Sequence, residues 1–336
     1  MYEIPYKVSD RAMECMVEIA AALERYKIVL EGPDGVRHRK LNHIRTIRGT
    51  TAIEGNTLTE EQITAVLAGK HVVAPKREIA EVINAHKAYS AIESFNPYSV
   101  DDLLKAHSLM TDGLVERPGQ WRNCNVGVMG SEGVSHIAPP FNMVPGLMSD
   151  LFAWLNESEA PVLIKSSVFH YEFEFIHPFP DGNGRMGRLW QTAILGNWRE
   201  EFYGVPVENI VWAHQSEYYE AIRKSGAVGE CGPFIDFILD KILRTLKAKG
   251  EVYEIGRKST EKGVIKSRDK SRVKSRDKSR DKILKSLKSQ PQLTQADLAD
   301  AMGLSIKAVE KAISQLKDAN RLRRKGGKKF GEWEVV

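Results

Sequence analysis

The sequence predicts an all-α body interrupted by one small β-hairpin and followed by a separate helical module that ends in a basic hairpin. Three observations predict this. Apolar residues recur at the spacing of a single helix face through most of the 336 residues. Residues 118–140 abandon that spacing: Gly119, Gly127, Gly130, Gly133, Pro139 and Pro140 surround two short β-like runs. Charge also divides the chain, since the net +5 resolves into −6 for residues 1–263, +6 for 264–282 and +5 for 283–336. An acidic body with a basic tail points to two tasks, the second with a polyanionic partner.

Ala12, Met13, Met16, Ile19, Ala20 and Leu23 line a first helix over residues 10–23, which Gly32, Pro33 and Gly35 break. Leu41, Ile44 and Ile47 begin a second, running into Thr50-Thr-Ala-Ile-Glu54-Gly-Asn56. Thr59-Glu-Glu-Gln62 has the form of a capping box and opens a third helix, with Ile63, Val66 and Leu67 inward. Residues 77–94 and Ser99 to Leu114 give two more. Ser99 with Asp102 caps the latter, which places His107 in a core or interhelical position. Asn125 to Met129 and Val134 to Ile137 read as the hairpin, although an inert connecting loop fits these residues equally well. Leu147 to Leu155 is amphipathic. Pro161 opens a helix that should stop at His177, because Pro178 disfavours the α region in the residue before it. Leu189, Trp190, Ala193 and Ile194 mark the next helix, and residues 216–222 and 233–239 close the body.

Between those two long helices lies His177-Pro-Phe-Pro-Asp-Gly-Asn-Gly-Arg-Met-Gly-Arg188. Gly182 and Gly184 let successive N–H groups turn inward as an anion-holding nest. The following helix is already positive at its N-terminus, yet Arg185 and Arg188 sit on its first turn, the wrong end for cations. They need an anion between them, and phosphate suits. Asp181 is a hard ligand for a divalent metal that bridges phosphate oxygens. His177 offers an imidazole to take a proton from an attacking hydroxyl. Together these residues read as transfer of a phosphorus-containing group from a nucleotide, accomplished by positioning and charge neutralisation. His170 shares the face of His177 with Glu174 between them. No cysteine or further histidine joins the trio, so His170 is expected in the core instead of on a metal.

His177 to Arg188 matches without a gap the signature His-Pro-Phe-x-Asp/Glu-Gly-Asn-Gly-Arg-x-x-Arg. Over roughly residues 40–245 the chain thereby resembles the Fic-domain family. The resemblance implies a Fic-type helical core at about 100–245 with a β-hairpin flap. In it His177 would deprotonate a target hydroxyl and Asp181 would hold Mg²⁺ or Mn²⁺. Asn183 and Arg185 would contact the α- and β-phosphates of ATP, Arg188 the γ-phosphate, and Gly182 and Gly184 would complete the ATP loop. Phe179 would pin that loop to the core, and Tyr218 resembles a position that touches the nucleotide base. The implied activity is protein adenylyltransfer, AMP moving from ATP to a Ser, Thr or Tyr hydroxyl of a target or of the enzyme itself, with the target docked on the flap at about 125–137.

Thr50-x-x-x-Glu54-Gly55 resembles the family's inhibitory motif on an N-terminal helix, here about 41–56. Glu54, bidentate to Arg188, would fill the γ-phosphate place and keep ATP out of line for attack. Two alternatives stay open: a phosphodiesterase that uses Glu54 to remove AMP, and a DNA-binding regulator whose Fic core senses nucleotide.

The first domain is expected over residues 1–255. Residues 266–281 then repeat Lys-Ser-Arg-Asp, with Val273 once replacing Asp, and the repeat has no apolar face. Residues 256–281 are therefore expected as a basic linker, flexible or partly helical. In 282–336, Ile283, Leu284 and Leu287 begin a helix. Thr294 caps a short second one, and Ser305 caps Ile306 to Ala319. A hairpin then turns at Gly326-Gly327. This resembles a winged helix, in which Lys307, Lys311, Arg323, Arg324, Lys328 and Lys329 would meet DNA phosphates. Winged helices also dock proteins or dimerise, so a homodimer is a further option. The first residues lack a basic region followed by an apolar run, and no apolar stretch would span a bilayer. With Cys15, Cys124 and Cys231 scattered, the expectation is a cytoplasmic chain with free thiols and no membrane partner.

Overall fold

Ser9 accepts a hydrogen bond from the Ala12 N–H and so starts helix α1, Asp10–Glu31. The computed structural model describes residues 4–130, 133–264, 274–302, 304–326 and 332–336. They fall into two units, residues 1–247 and 248–336. In α1 the buried stripe is Ala12, Cys15, Ile19, Ala22, Leu23 and Tyr26, rotated from the expected one: Met13 is 47% exposed and Ala20 lies outward. Helix α2, Gly35–Ile53, begins well before the expected Leu41 and stops with Glu54 as its C-cap. The capping box of α3, Glu60–Leu67, forms in both directions, Gln62 N–H to Thr59 Oγ1 at 3.2 Å and Thr59 N–H to Gln62 Oε1 at 3.0 Å. Helices α4, Lys76–Ser90, and α5, Val100–Met110, follow where predicted, each ending four residues before the expected 94 and Leu114.

The glycine-rich stretch forms the expected hairpin. Strand β1, Gly127–Gly130, runs antiparallel to β2, Gly133–Ile137, with an irregularity after Val128. Beyond it come α6, Val144–Glu157, and the two central helices, α7, Val162–Ile176, and α8, Asn183–Trp198. Both central helices are buried on almost every side. Phe169, Phe173, Met186, Leu189 and Trp190 are 0% exposed, as befits helices surrounded by others. Trp190 satisfies its indole N–H on the Pro97 carbonyl at 2.9 Å. A short helix the periodicity did not reveal, α9, Val207–Ala213, packs across α2. Its Glu208 is buried, where it accepts from Tyr89 and Thr192. Helices α10, Gln215–Val228, and α11, Gly232–Val264, complete the order. Among the described residues no helix is long and apolar enough to cross a membrane.

The second unit contains α12, Lys274–Ser289, α13, Gln295–Met302, and α14, Ile306–Asp318, then β3, Leu322–Lys325, paired antiparallel with β4, Glu332–Val335. Ile283, Leu287, Leu298, Val309, Ile313, Leu316, Leu322 and Trp333 form its core, the arrangement of a winged helix-turn-helix. Helix α12 starts inside the charged repeat, whose four-residue period suits a helical turn. Residues 266–273 of the repeat, and Lys328 and Lys329, lie outside the described residues.

The crossing of α2 and α9 depends on Gly49. A Cβ there would lie 2.4 Å from the Asn209 nitrogen and 2.6 Å from the Glu208 carbonyl carbon, contacts with backbone that cannot swing aside. Gly49→Ala should lower the unfolding free energy by about 1–3 kcal/mol, read from urea unfolding.

Candidate active site

Helix α7 ends at His177 as Pro178 requires, but not in the extended conformation usual before proline. His177 has φ 51° and ψ 60°, left-handed, while its N–H still closes the last turn on the Phe173 carbonyl at 2.9 Å. This cap turns the chain sharply, at a strain on the order of 1–3 kcal/mol for a side chain larger than glycine. Arg122, which the sequence reading did not single out, holds the turn from behind. Its Nε donates to the His177 carbonyl at 2.8 Å, and Nη1 and Nη2 reach the carbonyls of Cys124 and Pro139 at the root of the hairpin. The imidazole is partly exposed, with Nδ1 3.3 Å from the Glu174 carbonyl and 3.9 Å from its carboxylate.

Phe179 pins the loop as expected. It is 0% exposed and stacks on His107 with ring centroids 3.6 Å apart. His107 in turn accepts the Gly119 N–H at Nδ1 (2.8 Å), which leaves Nε2 to carry the proton and donate to the Asp181 carbonyl at 3.1 Å. Burial pushes the His107 pKa down to about 4, so the ring stays neutral. Asn183 departs from its expected role. Its side chain accepts the Phe179 N–H and donates to the Phe179 carbonyl, both at 2.8 Å, and so clamps the loop instead of reaching outward.

Gly182 begins α8 at φ +85°, where a side chain would be strained, and its N–H meets Asp181 Oδ1 at 2.6 Å. Arg185 donates to that same oxygen through Nη2 at 3.0 Å. The rest of its guanidinium, Nε and Nη1, is buried without a hydrogen-bond partner among the described residues. Buried charged donors are seldom left so, and their place at a helix N-terminus is that of an anion's partner.

Arg188 is 3% exposed. Its Nη2 donates to Glu54 Oε1 at 2.6 Å and to the Thr50 carbonyl at 3.0 Å, and its Nε reaches Thr50 Oγ1 at 3.2 Å. Both ends of the Thr50–Glu54 motif thus hold one guanidinium. The pairing is not the expected bidentate fork, because Thr50 takes the other positions. Burial works against the Arg188 charge, but Glu54 outweighs it and the pKa is raised. Gly184 leaves room for the pair, since a Cβ there would sit 2.5 Å from Glu54 Oε1.

Asp181 is open to solvent, its side chain being 40% exposed, and Arg77 of α4 donates to its Oδ2 at 2.9 Å. A single accessible carboxylate beside buried arginines at a helix N-terminus would suit Mg²⁺, which keeps most of its waters and needs no protein cage. Among the described residues no group of three or more His, Cys, Asp or Glu could hold a metal. His170 is a core histidine, bonded to Gln191 at 2.7 Å and Tyr218 at 3.0 Å. That contact removes Tyr218 from its expected place on a nucleotide base: it is 2% exposed and packs on Phe234 and Phe237, while its neighbour Tyr219 is 38% exposed.

Comparison with known proteins agrees with this geometry. The profile of the Fic/DOC family matches residues 97–195, and one described as winged helix-turn-helix DNA-binding matches residues 276–323. The crystal structure of a Fic family protein from Desulfovibrio desulfuricans G20 is 33% identical. The match covers 100% of this chain and 98% of that one, with a TM-score of 0.70. The chain belongs to the Fic family. Curated relatives named protein adenylyltransferase Fic include those of Nematostella vectensis, 27% identical over 65% of this chain, and Culex quinquefasciatus, 31% identical over 62%. The chain spans about half the length of these relatives, 52% and 42% respectively.

One buried acid in this Fic site has a measurable consequence. Burial pushes Glu174 up to about 7, with Arg188 lowering and Glu54 raising it. Because its folded pKa lies above the unfolded value, its contribution to stability is full below about pH 4.5 and lost as pH rises through 7. Glu174→Gln has no such loss. Its stability relative to wild type should therefore rise by roughly 3 kcal/mol between pH 4.5 and 8, read from urea unfolding at both pH values.

Proposed function

We propose that this Fic protein is an ATP-dependent protein adenylyltransferase held in check by Glu54. The observation that carries this reading is the pair of partnerless, buried Arg185 nitrogens at the N-terminus of α8, beside an Arg188 whose anion is supplied from another helix. Two buried cations at the positive end of a helix fit a polyphosphate, and the names of the curated relatives support AMP as the group that moves.

In this reading Arg185 and the loop N–H groups hold the phosphates nearer the sugar, and Arg188 takes the γ-phosphate once Glu54 leaves. His177 accepts the proton of a Ser, Thr or Tyr hydroxyl. The freed oxygen bonds to the α-phosphorus as the bond to pyrophosphate breaks, and pyrophosphate departs. Arg122 keeps the base in place by gripping its carbonyl. Asp181 would hold Mg²⁺, which supplies charge neutralisation to the leaving phosphates. The β1–β2 ribbon beside Arg122 offers strand edges on which an extended target segment could pair.

With the cradle intact, His177→Ala should reduce AMP transfer by at least about 10²-fold. Glu54→Gly should raise it roughly tenfold by freeing the competent state. Incubation with labelled ATP reads both, and equal labelling by wild type and the Glu54 variant contradicts the inhibition.

For the second unit we propose duplex DNA as the partner. Lys307 and Lys311 are exposed on α14 and Arg323 on β3, while Arg324 is fixed over Trp333 at 4.8 Å. Lys311→Ala should weaken binding across sequences and reduce the slope of log K against log salt by about 1, measured by fluorescence anisotropy on a labelled duplex.

A further inference from the structure

We infer that Arg77 is an internal stand-in for the divalent cation and sets how tightly the site takes one. This rests on the proposal that Asp181 is the cation's carboxylate. Asp181 Oδ1 is occupied from within the loop, by the Gly182 N–H at 2.6 Å and Arg185 at 3.0 Å. Oδ2 is thus the oxygen an incoming cation needs, and Arg77 Nη2 sits on it at 2.9 Å.

Arg77 does not reach there unaided. Its Nε donates to Glu81 Oε1 at 3.2 Å, and Glu81, 9% exposed, accepts from Asn56 Nδ2 at 3.0 Å. Asn56 is further tied to the Glu78 carbonyl at 3.0 Å and stands two residues beyond Glu54. One short segment therefore governs two opposite charges. Glu54 puts an anion on the arginine that awaits phosphate, and Asn56, through Glu81, steadies a cation on the carboxylate that awaits metal.

The arrangement suits exchange. Arg77 is 61% exposed and Asp181 40%, so water screens the pair and an ion can compete for it. Removing the guanidinium takes away both a rival for Oδ2 and a positive charge that repels the ion. With no protein cage among the described residues, competition for this one oxygen governs affinity.

Mn²⁺ titrated into the nucleotide-free full chain, with free Mn²⁺ read by electron paramagnetic resonance, tests the inference without any AMP transfer. Arg77→Ala should bind Mn²⁺ about three- to fivefold more tightly than wild type. Arg77→Lys, which keeps the charge, should stay near wild type. The gain should vanish in Arg77→Ala/Asp181→Asn. Unchanged or weaker binding by Arg77→Ala, equal gain in Arg77→Lys, or a gain that survives Asp181→Asn overturns it. A protein that labels no target yet shows the gain upholds this inference and refutes only the adenylyltransferase reading.

Discussion

The structure turns on the burial of the Arg188 guanidinium at the positive end of α8. Its helix dipole repels it, and the surrounding side chains of α7 and α8 exclude water. Such a charge persists only if an anion is brought to it. Glu174 is near, but burial raises its pKa and disfavours its charged form, so the partner is Glu54, delivered from the C-cap of α2. Everything that fixes α2 then serves the site: Gly49 lets it lie against α9, and Thr50 adds two oxygens to the same guanidinium. In the proposed reading, inhibition and cohesion are one interaction: the glutamate that would keep nucleotide away also compensates the buried Arg188 charge.

Arg185 shows the complementary solution. It has no Glu54 of its own, and Asp181 satisfies only one of its nitrogens. Leaving two charged donors buried and unmatched costs stability, yet the loop is otherwise closely determined, with both polar atoms of Asn183 committed to Phe179 and both ring nitrogens of His107 committed to the loop and to Gly119. A frame this closely determined around a cation with two nitrogens unbonded would, in the proposed reading, hold the charge ready for an anion with little rearrangement.

Much of this was legible in the sequence because it is local. The central helices, the capping box, the hairpin and the anion-seeking loop all declare themselves within a dozen residues. What escaped depends on contacts between distant segments. Helix α9 is two turns long and has too few residues for its periodicity to stand out. Arg77 and Arg122 act on carboxylate and carbonyl groups 104 and 55 residues away, and nothing in their own neighbourhoods marks them. Resemblance gives Tyr218 an outward role, whereas its partner His170, 48 residues away, is set by how the helices face one another; Asn183 is different, since the Phe179 backbone that occupies it is only four residues away. Sequence spacing names the residue types a site needs; only packing decides which of them remain available to a ligand.

The backbone of His177 makes the same point about the base. Proline favours an extended residue before it, and a helix ending there in the usual way would carry the imidazole off along the chain. The left-handed conformation instead turns the chain sharply out of α7 and into the loop that leads to α8. That conformation is strained, and it is paid for by the four carbonyls that Arg122 gathers, two from the end of α7 and two from the root of the hairpin. The ribbon proposed to hold a target and the histidine proposed to deprotonate it are therefore fastened to a single buried guanidinium. A displacement of either would reach the other through these hydrogen bonds, which in the proposed reading keeps ribbon and base in register.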